Sequence, residues 1–142
     1  MYRITVGLIL LILNTSLGAV DRRVVRATIV AIEQVESQGN TRVVNQQALG
    51  CLQITPVVVY ECNRILGYTK YTLADRTSRA KSYAMAFIVL EYYGNIREAA
   101  TGKVTVRFLA NVWRRGYKTA KFLPLRTDYA NRVYNLVLFY RC

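Results

Sequence analysis

Apolar residues recur at helical spacing along most of the chain, and the first such stretch is the clearest. Asp21 is suited to cap a helix that runs to about Ser37, because its side-chain oxygen can accept a hydrogen bond from a free N–H group of the first turn. Val25, Ile29 and Ile32 follow one another at spacings of four and three, so they lie on one side of that helix. The pattern predicts an amphipathic helix whose apolar stripe faces a core.

Further helices are predicted in the same way over residues 55–66, 78–93, 104–113 and 127–140. Thr55-Pro56 suits a helix start, since Pro fits the first helical position, and Gly94 is expected to end the third helix. Residues 40–53 are rich in Asn, Gln and Gly, which predicts a loop or a small irregular sheet. We therefore expect a mainly α single domain over residues 20–142, with a small loop or β insert.

Residues 1–19 have the pattern of an export signal. Arg3 supplies a positive charge, and the apolar run over residues 6–13 is too short to span a bilayer comfortably. Small residues then favour cleavage after Gly18 or Ala19. The alternative is an uncleaved N-terminal anchor that attaches the protein to a membrane. We expect an exported protein, periplasmic or extracellular in the cell wall, membrane-anchored or associated with a phage.

The composition of the chain limits the kinds of partner and catalytic site that it can have. The chain of 142 residues fits one domain, and its 53% hydrophobic content is enough for a real core. Its net charge of +12 favours an anionic partner such as nucleic acid, anionic membrane or cell wall, with general solubility as the alternative. There is no His, which excludes His-based triads and most zinc sites. Acid–base chemistry must then come from carboxylates, Tyr, Lys or Cys.

The sequence does not determine which cysteines, if any, form a disulfide bond. The chain has three of them, Cys51, Cys62 and Cys142. Export permits one bridge and one free thiol. Cys51 and Cys62 are closest in sequence, but Cys142 can pair with either of them. A catalytic cysteine is not expected, because no His is present to activate it.

Glu36 continues the apolar stripe of the first helix, four residues beyond Ile32. Burial disfavours the ionised form of a carboxyl group, and so does the negative end of a helix. We therefore expect Glu36 to keep its proton near neutral pH, as the acid in glycoside cleavage must. The alternative is a frayed helix end with Glu36 in solvent. Glu33, one turn earlier, lies at the polar edge of the stripe and is expected to be exposed.

The residues around Glu36 resemble a known family signature. Glu36-Ser37 opens a segment that ends Ala-Leu-Gly-Cys-Leu-Gln-Ile-Thr-Pro at residues 48–56. This resembles the motif of the soluble lytic transglycosylases, which have a lysozyme-like α+β fold with the insert beside an active-site cleft. Residues 110–116 and 127–133 resemble two further family blocks. The chain departs from the pattern at Gln47, where the family usually has its first Gly.

Two more departures fall in the second block, where Trp113 replaces Tyr and Arg114 replaces Asn. The resemblance implies a peptidoglycan lytic transglycosylase that forms 1,6-anhydro-muramyl ends. Glu36 would act as general acid and then as general base. The substrate would be bound by Ser37, Asn45, Gln53, Trp113 and Tyr129. No metal or organic cofactor is implied.

Two alternatives remain at this point. A lysozyme-type peptidoglycan hydrolase generally needs a second carboxylate, and no motif identifies one. A non-catalytic cationic cell-wall-binding protein is the other.

We expect the partner to be peptidoglycan strands and the protein to be a monomer. Nucleic acid is not expected as a partner, because the basic residues are dispersed and no nucleic-acid motif is present. The basic residues at the end of the second block and just after it are expected to hold the substrate or to speed its encounter with the protein; they are Arg114, Arg115, Lys118 and Lys121.

Overall fold

The computed structural model describes residues 18–141, apart from the side chain of Arg141. Residues 1–17 of the predicted export signal and Cys142 lie outside the described residues. No helix in the described range is long and apolar enough to cross a membrane.

The described chain is a mainly helical single domain, which confirms the predicted fold class. The helices are α1 (Arg22–Glu36), α2 (Pro56–Leu66), α3 (Arg79–Thr101), α4 (Val106–Arg115), α5 (Tyr117–Ala120) and α6 (Asp128–Arg141), with a short 3-10 helix at Leu73–Thr77. The insert between α1 and α2 is a two-stranded antiparallel hairpin of β1 (Val44–Asn45) and β2 (Ala48–Leu49).

Helix α1 lies at the centre of the fold, where α3, α4 and α6 pack against it. Its stripe of Val25, Ile29 and Ile32 is buried as predicted. The Asp21 side chain accepts a hydrogen bond from the Arg23 N–H at 2.8 Å, so the predicted cap is present. Burial of this apolar face is the main stabilising contribution to a helix of this length, since isolated short helices are marginal in water.

The predicted end of the third helix at Gly94 is wrong. Helix α3 continues through Gly94 to Thr101. A glycine inside a helix costs only about 1 kcal/mol relative to alanine, and here it makes room for Val20. A Cβ at Gly94 would lie 3.1 Å from the Val20 side chain. Val20 is further held by its backbone N–H, which donates to Asn95 Oδ1 at 2.9 Å.

Other differences from the prediction are local. Helix α4 begins at Val106 rather than at residue 104, because the Thr105 side chain caps it by accepting from the Phe108 N–H at 3.1 Å. The hydrophobic pattern predicts neither helix α5 nor the 3-10 helix, because each is too short to show the spacing of apolar residues that identifies a helix. The predicted insert over residues 40–53 is the hairpin and its flanking turns.

The hairpin is fixed to the 3-10 helix through Arg76. Its Nη1 donates to the Gln47 carbonyl at 2.8 Å and to the Ile54 carbonyl at 3.3 Å. The backbone of Arg76 also packs against Gly50, where a Cβ would lie 2.0 Å from the Arg76 carbonyl oxygen. Two features therefore favour glycine at position 50. A side chain would clash with the Arg76 carbonyl oxygen, and the φ of +83° is left-handed.

We expect Gly50→Ala to destabilise the protein much more than Gly67→Ala. Both glycines are left-handed, with φ of +83° and +79°, so each alanine adds about 1–2 kcal/mol of backbone strain. A Cβ added at Gly67 would meet no atom within 4 Å, whereas one added at Gly50 faces a backbone oxygen. Urea denaturation of both variants tests this. If the two variants lose the same free energy of unfolding, the contact between Gly50 and Arg76 is relaxed in solution.

Candidate functional site

A recess of about 100 Å³ lies where the end of α1, the hairpin and α4 meet. It is lined by Glu36, Asn45, Ala48, Gln53, Thr55, Trp113 and Arg114. The last turn of α1 supplies the carboxylate, the hairpin and the turn after it supply amides, and α4 supplies the indole and the guanidinium. Residues far apart in sequence are therefore brought together at one point.

Two larger grooves adjoin the recess and share Thr55 and Arg114 with it. We call the one of about 480 Å³ the apolar groove, because Val57, Val89 and Tyr93 contribute to its walls. The other, of about 460 Å³, runs along the turn of the hairpin and is called the hairpin groove. Because the three depressions share lining residues, they form one cleft that passes Glu36.

The Glu36 carboxylate is partly buried and is held by a single side chain in the described part of the protein. The Tyr129 hydroxyl, from α6, donates to Glu36 Oε1 at 2.7 Å. Tyr129 itself is 9% exposed. Burial, and then the neighbouring charge of Glu36, raise the pKa of Tyr129, so its hydroxyl remains a donor at neutral pH. The Arg114 guanidinium lies 5.6 Å from the centre of the Tyr129 ring.

Gln53 is held in an uncommon conformation at the edge of the recess. Its φ is +51°, a left-handed value for a residue with a side chain. Its Nε2 donates to the carbonyl oxygens of Val43 and Gly50, at 3.0 and 2.9 Å, which fixes the orientation of the amide. Its Oε1 is buried and has no hydrogen-bond partner among residues 18–141. Buried acceptors in folded proteins are normally hydrogen-bonded, so this atom is a candidate ligand-binding group.

Trp113 and Asn45 line the recess from different elements. The Trp113 indole N–H donates to the Leu52 carbonyl at 3.2 Å, so the ring is tied to the turn that carries Gln53. The indole is only partly buried and lines both the recess and the apolar groove. Asn45 is exposed on β1 and lines the recess and the hairpin groove. An aromatic face and a free amide are the groups that bind sugar rings and their substituents.

Ser37 has a different environment from the other predicted site residues. Its hydroxyl donates to the Cys51 carbonyl at 2.6 Å and accepts from the Gly39 N–H at 3.1 Å. It is not among the described residues that line the recess. These bonds tie the end of α1 to the turn after the hairpin, which is a positioning role.

Sequence reasoning misses Thr55 as a site residue. The sequence predicts a helix cap there, but the Thr55 side chain makes no capping hydrogen bond and instead lines the recess and both grooves. The sequence singles out Arg114 as a departure from the family pattern and as one of the basic residues expected to hold the substrate, and it lines the same three depressions. A signal for Thr55 is its position directly after Gln53-Ile54, within the motif itself.

The expectation that Glu33 is exposed is wrong, because its side chain is 0% exposed. Arg79, at the start of α3, donates to both carboxylate oxygens at 2.8 Å. Tyr83, one turn later, donates to Oε2. Burial alone would raise the pKa of Glu33, but the hydrogen bonds from Arg79 and Tyr83 outweigh it and lower the pKa. We call these three residues the Glu33 cluster.

The Cys51 thiol, in the turn that carries Gln53, lies close enough to the Glu33 cluster to be affected by the Glu33 charge. Burial, together with the Glu33 charge, raises the pKa of Cys51 to about 11, and burial raises the pKa of Cys62 to about 11 as well. Among the described residues, which do not include Cys142, both cysteines are buried free thiols and are not bonded to each other. Thiols with such pKa values are poor nucleophiles at neutral pH.

Most other acidic side chains are engaged away from the recess. Glu61 lines the apolar groove, where the Arg64 guanidinium, assisted by the Tyr93 hydroxyl, lowers its pKa. The pairs Asp75–Lys81 and Glu91–Arg22 are ion pairs on the surface, with distances of 2.5 and 2.8 Å. Among residues 18–141 there is no group of three or more acidic or cysteine side chains placed to hold a metal ion.

Comparison with known proteins found no family model, no curated protein and no solved structure that matches the chain. The likeness to lytic transglycosylases therefore rests on the sequence motifs, and the activity that it implies stays a prediction.

We expect Arg79→Met to destabilise the protein by about 3 kcal/mol, because it leaves the buried Glu33 charge without its partner. The matched control is Arg22→Met. Arg22 pairs with Glu91, and the two side chains are 61% and 29% exposed, so its loss should cost about 0–1 kcal/mol. Chemical denaturation of the two variants measures the difference. Similar small losses would mean that Glu33 is solvated.

The Glu33→Gln variant should show a weaker dependence of stability on acid pH than the wild type. The pKa of Glu33 is lowered in the folded state, so its contribution is complete above the unfolded value of about 4.3 and is lost as the pH falls below it. Melting temperatures measured from about pH 6 down to about pH 2.5 test this, since the range brackets that value. Parallel curves for the two proteins would contradict the lowered pKa.

Proposed function

We propose that the protein is a lytic transglycosylase of bacterial peptidoglycan and that Glu36 is its catalytic acid and base. The observation that carries the proposal is the Glu36 carboxylate, which lines the recess and accepts a hydrogen bond from Tyr129 at 2.7 Å. The cleft gives an extended chain room to pass this carboxylate. The motifs around Glu36 and Gln53 supply the substrate class.

In the first step, the Glu36 carboxyl group donates its proton to the oxygen that joins N-acetylmuramic acid to N-acetylglucosamine. The bond between this oxygen and the muramyl C1 breaks, and N-acetylglucosamine leaves with the proton on its oxygen. The carbonyl oxygen of the substrate's own N-acetyl group stabilises the positive charge at C1, so no protein nucleophile is needed. The step requires a proton on Glu36 at the start, which stays a prediction.

In the second step, the Glu36 carboxylate accepts the proton of the C6 hydroxyl of the same muramyl ring, while that oxygen bonds to C1. The product is a 1,6-anhydro end, no water is consumed, and Glu36 is protonated again. Between the two steps the carboxylate is ionised. The Tyr129 hydroxyl, which donates to it at 2.7 Å, stabilises this state through a charge-assisted hydrogen bond.

The acidic residues near the recess favour this reaction over hydrolysis. Among the described residues that line the recess, Glu36 is the single carboxylate. A lysozyme-type hydrolase generally places a second carboxylate on the other side of the scissile bond. Glu33 is held by Arg79, and Glu61 is held by Arg64. Internal attack by the C6 hydroxyl needs no such partner, and this supports the transglycosylase.

Substrate contacts follow from the groups that the cleft leaves available. The buried Oε1 of Gln53 has no hydrogen-bond partner in the described part of the chain, and an N–H or O–H of the sugar would satisfy it. The Trp113 ring offers a partly exposed aromatic face. Asn45 and Thr55 offer polar groups at the recess. Export to the cell wall and a monomeric state remain predictions from the sequence.

We expect Glu36→Gln to lower the rate of peptidoglycan cleavage by about 10²–10⁴-fold, since the amide cannot transfer a proton. The products of wild-type digestion should carry 1,6-anhydro ends, measured by mass spectrometry of the soluble fragments. Reducing ends would identify a hydrolase instead.

The matched control is Glu61→Gln, which makes the same chemical change at another acid of the same cleft. This variant should keep activity within a few-fold of the wild type. If Glu36→Gln cleaves peptidoglycan at the wild-type rate, the protein uses another acid. If neither the wild type nor the variant cleaves it, the protein is a non-catalytic wall-binding protein.

A further inference from the structure

A fourth depression, of about 600 Å³, adjoins the cleft at Arg114. We call it the arginine groove, because Arg114, Arg115 and Arg132 line it together with Thr119 and Thr127. It lies between the end of α4, helix α5 and the start of α6. Of the residues in the proposed acid–base chemistry, Tyr129 lines this groove and Glu36 does not.

The three guanidinium groups are exposed and available. None of them forms an ion pair in the described part of the chain, whereas Arg22, Arg64 and Arg79 each pair with a glutamate. Asp128 is the one acidic residue among the described residues that line this groove. Its single charge leaves an excess of positive charge there, so the groove attracts an anionic group.

The arginine groove is linked to the catalytic carboxylate through Tyr129. The guanidinium groups of Arg114 and Arg132 lie 5.6 and 5.9 Å from the centre of the Tyr129 ring. The hydroxyl of the same ring donates to Glu36. A strand bound with its scissile bond at Glu36 therefore has the arginine groove within reach of its substituents.

We propose that the arginine groove binds carboxylate groups of the peptide stems that peptidoglycan carries on its muramyl sugars. This rests on the proposed function. A guanidinium group binds a carboxylate through two parallel hydrogen bonds. Arg132 lines the arginine groove but neither the recess nor the adjoining grooves. A carboxylate that binds Arg132 must therefore be connected to the glycan strand by a spacer. A stem peptide meets this requirement better than the carboxylate of the lactyl group itself.

Binding measurements with Glu36→Gln protein test the proposal without turnover. The probes are purified peptidoglycan with its peptide stems intact and the same material stripped of them by an amidase, which leaves the lactyl carboxylate. We expect the intact material to bind about tenfold more tightly, as one charge-assisted hydrogen bond would produce. Adding Arg132→Glu should remove most of this preference, and Arg132→Gln should remove part of it.

The matched control is Lys70→Glu, which changes the net charge by the same amount at an exposed site that lines none of the four depressions. It should keep the preference for intact material. Asp128→Asn should strengthen binding to intact material, because it removes the opposing charge from the groove.

Two results would overturn the proposal. Equal losses for Arg132→Glu and Lys70→Glu would show that net charge, and not a site, attracts the wall. Equal binding of intact and stripped peptidoglycan would show that the peptide stems are not recognised. Both outcomes are independent of whether the wild-type protein cleaves the strand, so a failure here is distinguishable from a failure of the proposed catalytic activity.

Discussion

The ion pair between the buried Glu33 carboxylate and the partly exposed Arg79 guanidinium is the interaction on which the arrangement of the site depends. A carboxylate that is 0% exposed is stable only when its charge is compensated and its oxygens are hydrogen-bonded. Arg79 and Tyr83 meet that requirement from α3. Because Glu33 lies one turn before Glu36, the same contacts fix the end of α1. The Ser37 hydroxyl, at the end of α1, donates to the Cys51 carbonyl at 2.6 Å and so connects α1 to the turn after the hairpin.

The turn after the hairpin is held by contacts from several directions, and this explains how it keeps an uncommon backbone. Ser37 bonds to the Cys51 carbonyl, Trp113 bonds to the Leu52 carbonyl, and Arg76 bonds to the Ile54 carbonyl. The left-handed φ of Gln53 costs energy, and such a conformation persists only where the surroundings determine it. A site held in this way presents its groups to a ligand with little reorganisation.

The arginines near the site fall into two groups, those with a partner in the protein and those without an ion pair. Arg79 is paired with Glu33, and Arg76 donates to backbone carbonyls. Around the cleft, Arg114 and Arg132 lie beside the Tyr129 ring with no ion-pair partner among the described residues. The net charge of +12 therefore has two physical roles, since some cations hold the structure and others remain available to an anionic ligand.

The sequence by itself determined the helical class of the fold, the core stripe of α1 and the position of the insert, because hydrophobic periodicity and helix caps are local. It also singled out Glu36, Gln53 and Trp113, which the fold brings to one recess. Only the tertiary structure decided that Glu33 is buried, since Arg79 lies 46 residues away. It likewise decided that α3 passes through Gly94, where the packing of Val20 replaces the local preference to end the helix. Long-range partners set burial and charge compensation, and no local pattern encodes them.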